Sequence, residues 1–392
     1  MTEQNCTLRG DYSTARLTQR YRFADPNMDL FFLGALGWGP TGGLSVGEAF
    51  HIASHIEDGN PDTWTQAFER QGEVLTAQAE RWAGQGVMRA AGETRLKAFA
   101  CYRSAWQFVL PGAYFSALFR KGQELFDQAM QELGLPTTRF EVAYSGGKLP
   151  GHFFPANDQA APTILIIGGA DTCHEDRFLS QGRYYLERGY AVALVDLPGQ
   201  GLVAEQSLYW EAEIERPIGA VIDTLVARFG VNTQKLAMLG MSLGGYFACR
   251  AAAEEPRLAA IVATPALSRP EELFLAAAGA TKKETHTPSD AAHRNMQVLL
   301  WKAGVANLTA LADKWQSATA ASAKVNVPFL TVVGGQEGVV WKQQSIEWHN
   351  AIPSANKRLT MLDAETGADA HCQGNNPLRL VQEVDAWLRE VL

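Results

Sequence analysis

Lys235-Leu236-Ala237-Met238-Leu239-Gly240-Met241-Ser242-Leu243-Gly244-Gly245-Tyr246-Phe247-Ala248-Cys249-Arg250 joins an apolar run, a serine flanked by glycines and a helix-like run. A GxSxG pattern has chemical meaning only where a strand turns sharply into a helix, and these flanks supply that context. A residue at such a turn sits in strained backbone, and glycines beside it remove Cβ atoms that would strike the neighbouring strand and helix. The turn lifts the Ser242 hydroxyl above the carboxyl edge of a sheet and points the next amide, that of Leu243, into the same space. Ser242 is therefore the expected nucleophile.

The flanking sequence has the rhythm such a turn requires. TILIIGG, YAVALVDLPGQG, KLAMLGMS, RLAAIVATPA, VPFLTVVGG and KRLTMLDAE are short apolar runs, most of them separated by amphipathic segments and ended by Gly, Pro, Asp or Ser. Runs on this spacing suggest strands buried on both faces of a mainly parallel sheet covered by helices, an α/β fold. FEVAYS and KLPGHFFP precede them as an antiparallel pair around Gly146-Gly147. Residues 269–324 break the rhythm with an Ala-rich stretch, read as a helical insertion after the sixth core strand. Before Pro136 the texture is helical. Asp62 is placed to cap a helix carrying Trp64, Phe68, Val74 and Leu75, a second helix runs from about Glu93 to Leu110, and a third follows Pro111-Gly112. GALGWGPTGGLSVGEAF reads as irregular chain feeding a helix. The division expected is 1–135 and 136–392.

A serine hydroxyl needs a base. At a turn of this kind the chain order is serine, acid, histidine. His286 and His293 fall in the insertion and His349 in a helix-like run, whereas His371 follows KRLTMLD across a short loop, so His371 is the expected base. Glu337, just past TVVGG, is the only carboxylate in its loop and is the expected acid. It would accept Nδ1–H of His371 and favour the imidazolium that forms. Asp363 and Asp369 compete for that role. TILIIGGADTCHED ends a strand at Gly168-Gly169, and the amides of Ala170 and Leu243 are assigned to the oxyanion hole, donors of roughly 3–4 kcal/mol each. Asp171 is placed to contact substrate or to brace that loop. Asp196 reads as a strand-end turn.

Bulk composition narrows the partners. The 392 residues carry a net charge of −8 and no basic run, which gives no footprint for nucleic acid or anionic lipid. The first residues hold no apolar signal core, and no stretch is apolar for the ~20 residues a membrane helix needs. Five scattered cysteines (Cys6, Cys101, Cys173, Cys249 and Cys372) without a CxxC pair suggest neither a disulfide framework nor a zinc site. The expectation is a cytoplasmic protein without metal or cofactor.

LPGHFF, IIGGADTCHED, VDLPGQG, LGMSLGGYFACRAAAEEPRLAAIV and AHCQGN together resemble one branch of the α/β-hydrolases. It includes 2,6-dihydroxypseudooxynicotine hydrolase, the fermentation–respiration switch protein and polyketide-shortening hydrolases. The resemblance runs from about Phe140 to the end and, more weakly, through CYRSAWQF. It implies an α/β-hydrolase fold with an N-terminal helical cap, a triad of Ser242, Glu337 and His371, and a homodimer. Glu at 337 departs from the commoner Asp. Several relatives cleave a carbon–carbon bond next to a ketone, which needs a substrate able to delocalise a carbanion.

Trp38, Trp64, Trp82, Tyr102 and Trp106 fall in the cap region and could line a pocket for a planar small molecule. Tyr102, inside the family-like stretch, is the substrate-binding candidate. The functional expectation is hydrolysis of a small organic carbonyl compound at a C–C, ester or thioester bond. A carboxylesterase or peptidase is the alternative within enzymes of this kind. A cyclase or lyase on a carrier-bound chain, or a non-catalytic binding protein, is the alternative outside it.

Overall fold

The computed structural model describes residues 16, 17, 19–283, 288–316 and 318–392; Cys6 and His286 lie outside the described residues. Among the described residues five helices come first: α1 (Pro26–Gly37), α2 (Val46–Ala53), α3 (Pro61–Gly84), α4 (Met88–Ala105) and α5 (Ala113–Glu132). Their boundaries correct the sequence reading in three places. α3 is capped by Asn60, whose side chain accepts from the amides of Asp62 and Thr63, with Pro61 at the first helical position, where its missing N–H costs nothing. Val74 points outward at 53% exposure while Trp64 and Phe68 are fully buried. GALG belongs to α1 rather than to irregular chain.

The sheet then opens with a hairpin. β1 (Thr138–Tyr144) pairs antiparallel with β2 (Gly147–Phe154) around Gly146, whose φ of 81° few side chains tolerate. The six apolar runs all become strands: β3 (Thr163–Ile167), β4 (Ala191–Val195), β5 (Leu236–Met241), β6 (Ala260–Thr264), β7 (Phe329–Gly334) and β8 (Lys357–Leu362). Their order is β1-β2-β4-β3-β5-β6-β7-β8, parallel from β4 onward. β3 to β7 are buried on both faces, as continuous apolar runs require. β8 is the edge strand and is largely half-exposed, a departure from the expectation.

Crossover helices cover the sheet. α6 (His174–Arg177), a π-helical turn over Phe178–Gly182 and α7 (Arg183–Glu187) follow β3; α8 (Glu215–Phe229) follows β4; α9 (Leu243–Glu254) follows β5. α10 (Pro270–Lys283), α11 (Asp290–Ala303) and α12 (Leu308–Lys314) fall within 269–324; α13 (Val339–Ala351) follows β7 and α14 (Pro377–Val391) ends the chain. Alternation along β3 divides the core. Ile164 and Ile166 join the cluster that holds Phe68, Phe99, Phe126 and Trp387, whereas Leu165 and Ile167 join Val221, Ile222 and Phe247 on the other face. The N-terminal helices thus share a core with the sheet. They also meet the inserted helices: Gln107 Nε2 donates to Asn295 at 3.2 Å and Arg294 pairs with Asp62 at 2.7 Å. No helix among the described residues is long and apolar enough to cross a membrane.

Candidate active site

Between β5 and α9 the chain turns through Ser242 at φ 57°, ψ −120°. Such backbone costs of order 1–3 kcal/mol and persists only where the surroundings over-determine it. Here they do. The Ser242 amide donates to the Thr264 carbonyl at 2.8 Å, and the Gly245 amide returns to the Ser242 carbonyl at 2.8 Å. A Cβ on Gly240 would lie 2.0 Å from the Gly244 carbonyl oxygen, and one on Gly245 would lie 1.9 Å from that of Pro265. Only glycine fits at either place, which is why the sequence pattern is legible.

β7 ends at Gly334 and the next turn carries Glu337, buried at 2% exposure; the loop after β8 carries His371, buried at 6%. Three side chains distant in sequence meet there. Ser242 Oγ lies 2.9 Å from His371 Nε2, and His371 Nδ1 lies 2.6 Å from Glu337 Oε2. The carboxylate accepts Nδ1–H, which leaves Nε2 of the neutral ring to accept the hydroxyl proton. Cys372 N–H donates to the other Glu337 oxygen at 3.4 Å, and the Trp341 ring packs on the imidazole at 4.9 Å between centroids. The competing acids are engaged elsewhere. Asp363 caps a short turn through the Thr366 amide, and Asp369 accepts from Asn375 Nδ2 at 2.8 Å.

Burial works against the charged form of His371, but Cys372 and Glu337 outweigh it and push the ring up to about 10. Two consequences follow from the sign. The ring must be neutral to take a proton, so kcat/KM should climb with pH above the ordinary 6.5, and a profile already level below 6.5 would contradict this. The same shift stabilises the fold fully below the unfolded value, and that contribution fades as pH rises through about 10.

The loop after β3 passes close to the serine. A Cβ on Gly169 would lie 2.7 Å from Ser242 Cβ. Every carbonyl from Gly168 to Asp171 is held by a side-chain donor. Gln200 Nε2 reaches Gly168 at 2.6 Å and Gly169 at 3.0 Å, Lys302 Nζ reaches Ala170 at 2.9 Å, and Arg103 Nη2 reaches Asp171 at 2.6 Å. In a planar peptide the N–H opposes the preceding C=O, so holding the Gly169 carbonyl turns the Ala170 amide the other way. Among the described residues neither the Ala170 nor the Leu243 amide donates to the protein. Sequence reasoning missed Gln200, Lys302 and Arg103. Gln200 lies in VDLPGQG and Arg103 in CYRSAWQF, but a carbonyl-holding role leaves no pattern of its own.

A cavity opens onto Ser242 and His371, walled by Leu30, Phe31, Trp38 and Met241 and by the cations Arg16, Arg103 and Arg177. Asp171 lines it and pairs with Arg16 at 3.3 Å. Tyr102 does not line it, which corrects the substrate-binding expectation. Its ring packs on Gly72 between α3 and α4, while its neighbours Arg103 and Ser104 reach the cavity. Of the five cap-region aromatics only Trp38 touches this space.

Among the described residues one buried group has the composition of a metal site: His152, His174 and Glu175. All four ring nitrogens already have protein partners. His174 Nδ1 meets Asp196 at 2.8 Å, His174 Nε2 meets His152 Nδ1 at 3.0 Å and His152 Nε2 meets Asp127 at 2.9 Å. Burial opposes the charge on His174, yet Glu175 and Asp196 prevail and raise it to about 9. A charged His174 completes this line with protons alone. Asp196 is therefore one partner of a buried ion pair rather than a plain strand-end turn.

Known proteins share this architecture. The 20-hydroxy-prefusarin hydrolase of Gibberella moniliformis is 32% identical over 255 residues, covering 61% of this chain and 60% of that protein. The 2,6-dihydropseudooxynicotine hydrolase of Paenarthrobacter nicotinovorans is 31% identical over 205 residues, 51% of this chain and 54% of its own length. The chain thus spans about three fifths or less of the length of these curated relatives. The crystal structure of 2,6-dihydroxy-pseudo-oxynicotine hydrolase superposes with a TM-score of 0.72 at 23% identity, over 91% of this chain and 95% of that one, a likeness of fold. The family model described as serine aminopeptidase, S33, matches residues 158–365, more than half of the sequence. The chain belongs to that family of α/β-hydrolases.

Proposed function

We propose that the protein is a serine hydrolase of small organic carbonyl compounds, with Ser242 as nucleophile, His371 as base and Glu337 as the acid that orients it. The observation that carries this is the unbroken line from Ser242 Oγ through His371 to Glu337, at 2.9 and 2.6 Å, opening onto a cavity. His371 takes the hydroxyl proton as Oγ attacks the carbonyl carbon. The amides of Ala170 and Leu243 hold the alkoxide, and His371 returns the proton to the leaving atom. Water then repeats the sequence on the acyl-serine. This chemistry uses no cofactor.

Cleavage of a C–C bond next to a ketone, or of an ester or thioester, is the preferred reaction class. The relatives named as hydrolases of prefusarin-type and pseudooxynicotine-type compounds support it. The family description favours a second reading, an aminopeptidase. A free amino terminus needs anionic recognition, however, and among the described residues three arginines line this cavity against one carboxylate. The proposal also takes residues 1–135 as a cap, 136–392 as the catalytic domain, and a cytoplasmic homodimer acting on a small molecule. Kinetics with p-nitrophenyl esters, aminoacyl anilides and β-diketones test the class. Ester or diketone turnover at least ten times that of the anilides is expected; preference for the anilides would install the peptidase.

A further inference from the structure

Among the described residues four cations surround the site, and their partners differ. Arg103 spends Nε on Asp176, Nη1 on Gln107 and Nη2 on the Asp171 carbonyl. Arg16 bonds Asp171 and Asn27, and Lys302 bonds the Ala170 carbonyl. Arg177 is different. Its Nε meets Asp176 at 2.6 Å and Nη1 meets Met241 Sδ at 3.2 Å, but Nη2 has no partner among the described residues. One turn on, Gln181 accepts from the Ser180 hydroxyl at 2.6 Å, and its Nε2 has no partner among them either. Both side chains are more than nine-tenths buried and both line the cavity.

The backbone aims this pair. Arg177 ends α6 and Gln181 lies in the π-helical turn, a local widening that often marks functional sites. The N-terminal region clamps this turn, since the Thr41 hydroxyl donates to the Leu179 carbonyl. Arg177 also stands beside the nucleophile's loop: a Cβ on Gly168 would lie 3.4 Å from Arg177 Cδ, and Met241 precedes Ser242. Two donor nitrogens, one on a cationic side chain, that meet no acceptor among the described residues and lie in a largely apolar cavity are a site for a substrate oxygen bearing negative charge.

We propose that Arg177 and Gln181 form a second oxygen site that receives the enolate oxygen of the leaving group. This rests on the serine-hydrolase reading. Oγ bonds to the attacked ketone carbon, its proton passes to His371, and the ketone oxygen becomes the alkoxide held by the amides. When the alkoxide collapses, the C–C bond breaks and its electron pair moves into the neighbouring carbonyl, whose oxygen now carries the charge beside Arg177. His371 gives its proton to the former α-carbon. Water then releases the acyl group as a carboxylic acid. An ester's leaving oxygen is bonded directly to the attacked carbon, where the diketone has its α-carbon, so its charge develops beside His371 and not two bonds further on at Arg177, and the site distinguishes the two chemistries.

The test compares kcat/KM for benzoylacetone and p-nitrophenyl butyrate in wild type, Arg177→Met and Gln181→Leu. Asp176 keeps Arg103 in the first variant, and the second removes a neutral donor together with one acceptor of the Ser180 hydroxyl, which keeps the Arg177 carbonyl at 3.4 Å. The ratio of diketone to ester rates should fall about 100-fold or more in Arg177→Met and by a smaller factor in Gln181→Leu. In Ser242→Ala, bound benzoylacetone should give up its proton to His371 and show the longer-wavelength absorption of its enolate, and adding Arg177→Met should return the band to that of the neutral enol. Equal losses on both substrates would overturn the assignment, as would a wild type that hydrolyses the ester but not the diketone; both leave the serine-hydrolase reading standing. Turnover of neither substrate, without reaction of Ser242 toward a serine-directed probe, would remove both.

Discussion

Ser242→Ala should lower turnover about a million-fold while leaving the melting temperature within a few degrees of wild type. The loss follows from chemistry that no neighbour can replace. Cys372, the cavity-lining neighbour of His371 in the chain, has its Sγ turned to the Thr264 carbonyl at 3.1 Å. The fold should survive because the strained turn is held by backbone bonds and by glycine contacts, not by the hydroxyl. Single-turnover kinetics and a thermal melt check the two halves separately. Residual turnover within a hundredfold of wild type would show that a different group attacks.

The second large effect is at Glu337. Glu337→Gln keeps the size of the side chain but removes the charge, and it can present an N–H to His371 Nδ1. The ring is then held in the wrong tautomer, with Nε2 protonated toward Ser242. A loss of about ten-thousand-fold in kcat is expected by that mechanism. Asp369→Asn should cost far less, since Asp369 bonds Asn375 at 2.8 Å and does not meet the ring. Near-wild-type rates in Glu337→Gln together with a collapse in Asp369→Asn would transfer the acid role to Asp369.

How much could be read from the residues alone depended on whether the determinant was local. The turn at Ser242 was legible because Gly240 and Gly245 answer steric demands within a few residues of each other in the chain. The five buried strands, β3 to β7, were legible because burial on both faces needs continuous apolar runs; β8 misled because an edge strand can carry the same run half-exposed. His371 and Glu337 were reachable through chain order, although their meeting spans 34 residues. Tyr102 misled for a physical reason. In α4 the cavity-facing side chains are Arg103 and Ser104, and a single step along a helix turns Tyr102 into the contact with Gly72. The donors that hold the Gly168–Asp171 carbonyls, and the nitrogens of Arg177 and Gln181 that find no partner among the described residues, depend on contacts between distant segments that no spacing rule encodes. Asp196 belongs with them, since its buried partner His174 lies on another crossover.

Fluorophosphonate labelling of the folded protein, with the adduct located by mass spectrometry, tests the account most directly. It predicts one adduct, on Ser242, formed at a rate that falls at least about a thousandfold in His371→Ala. A folded protein that does not react, or an adduct at another residue formed equally well without His371, would contradict the claim that these side chains act as one catalytic unit.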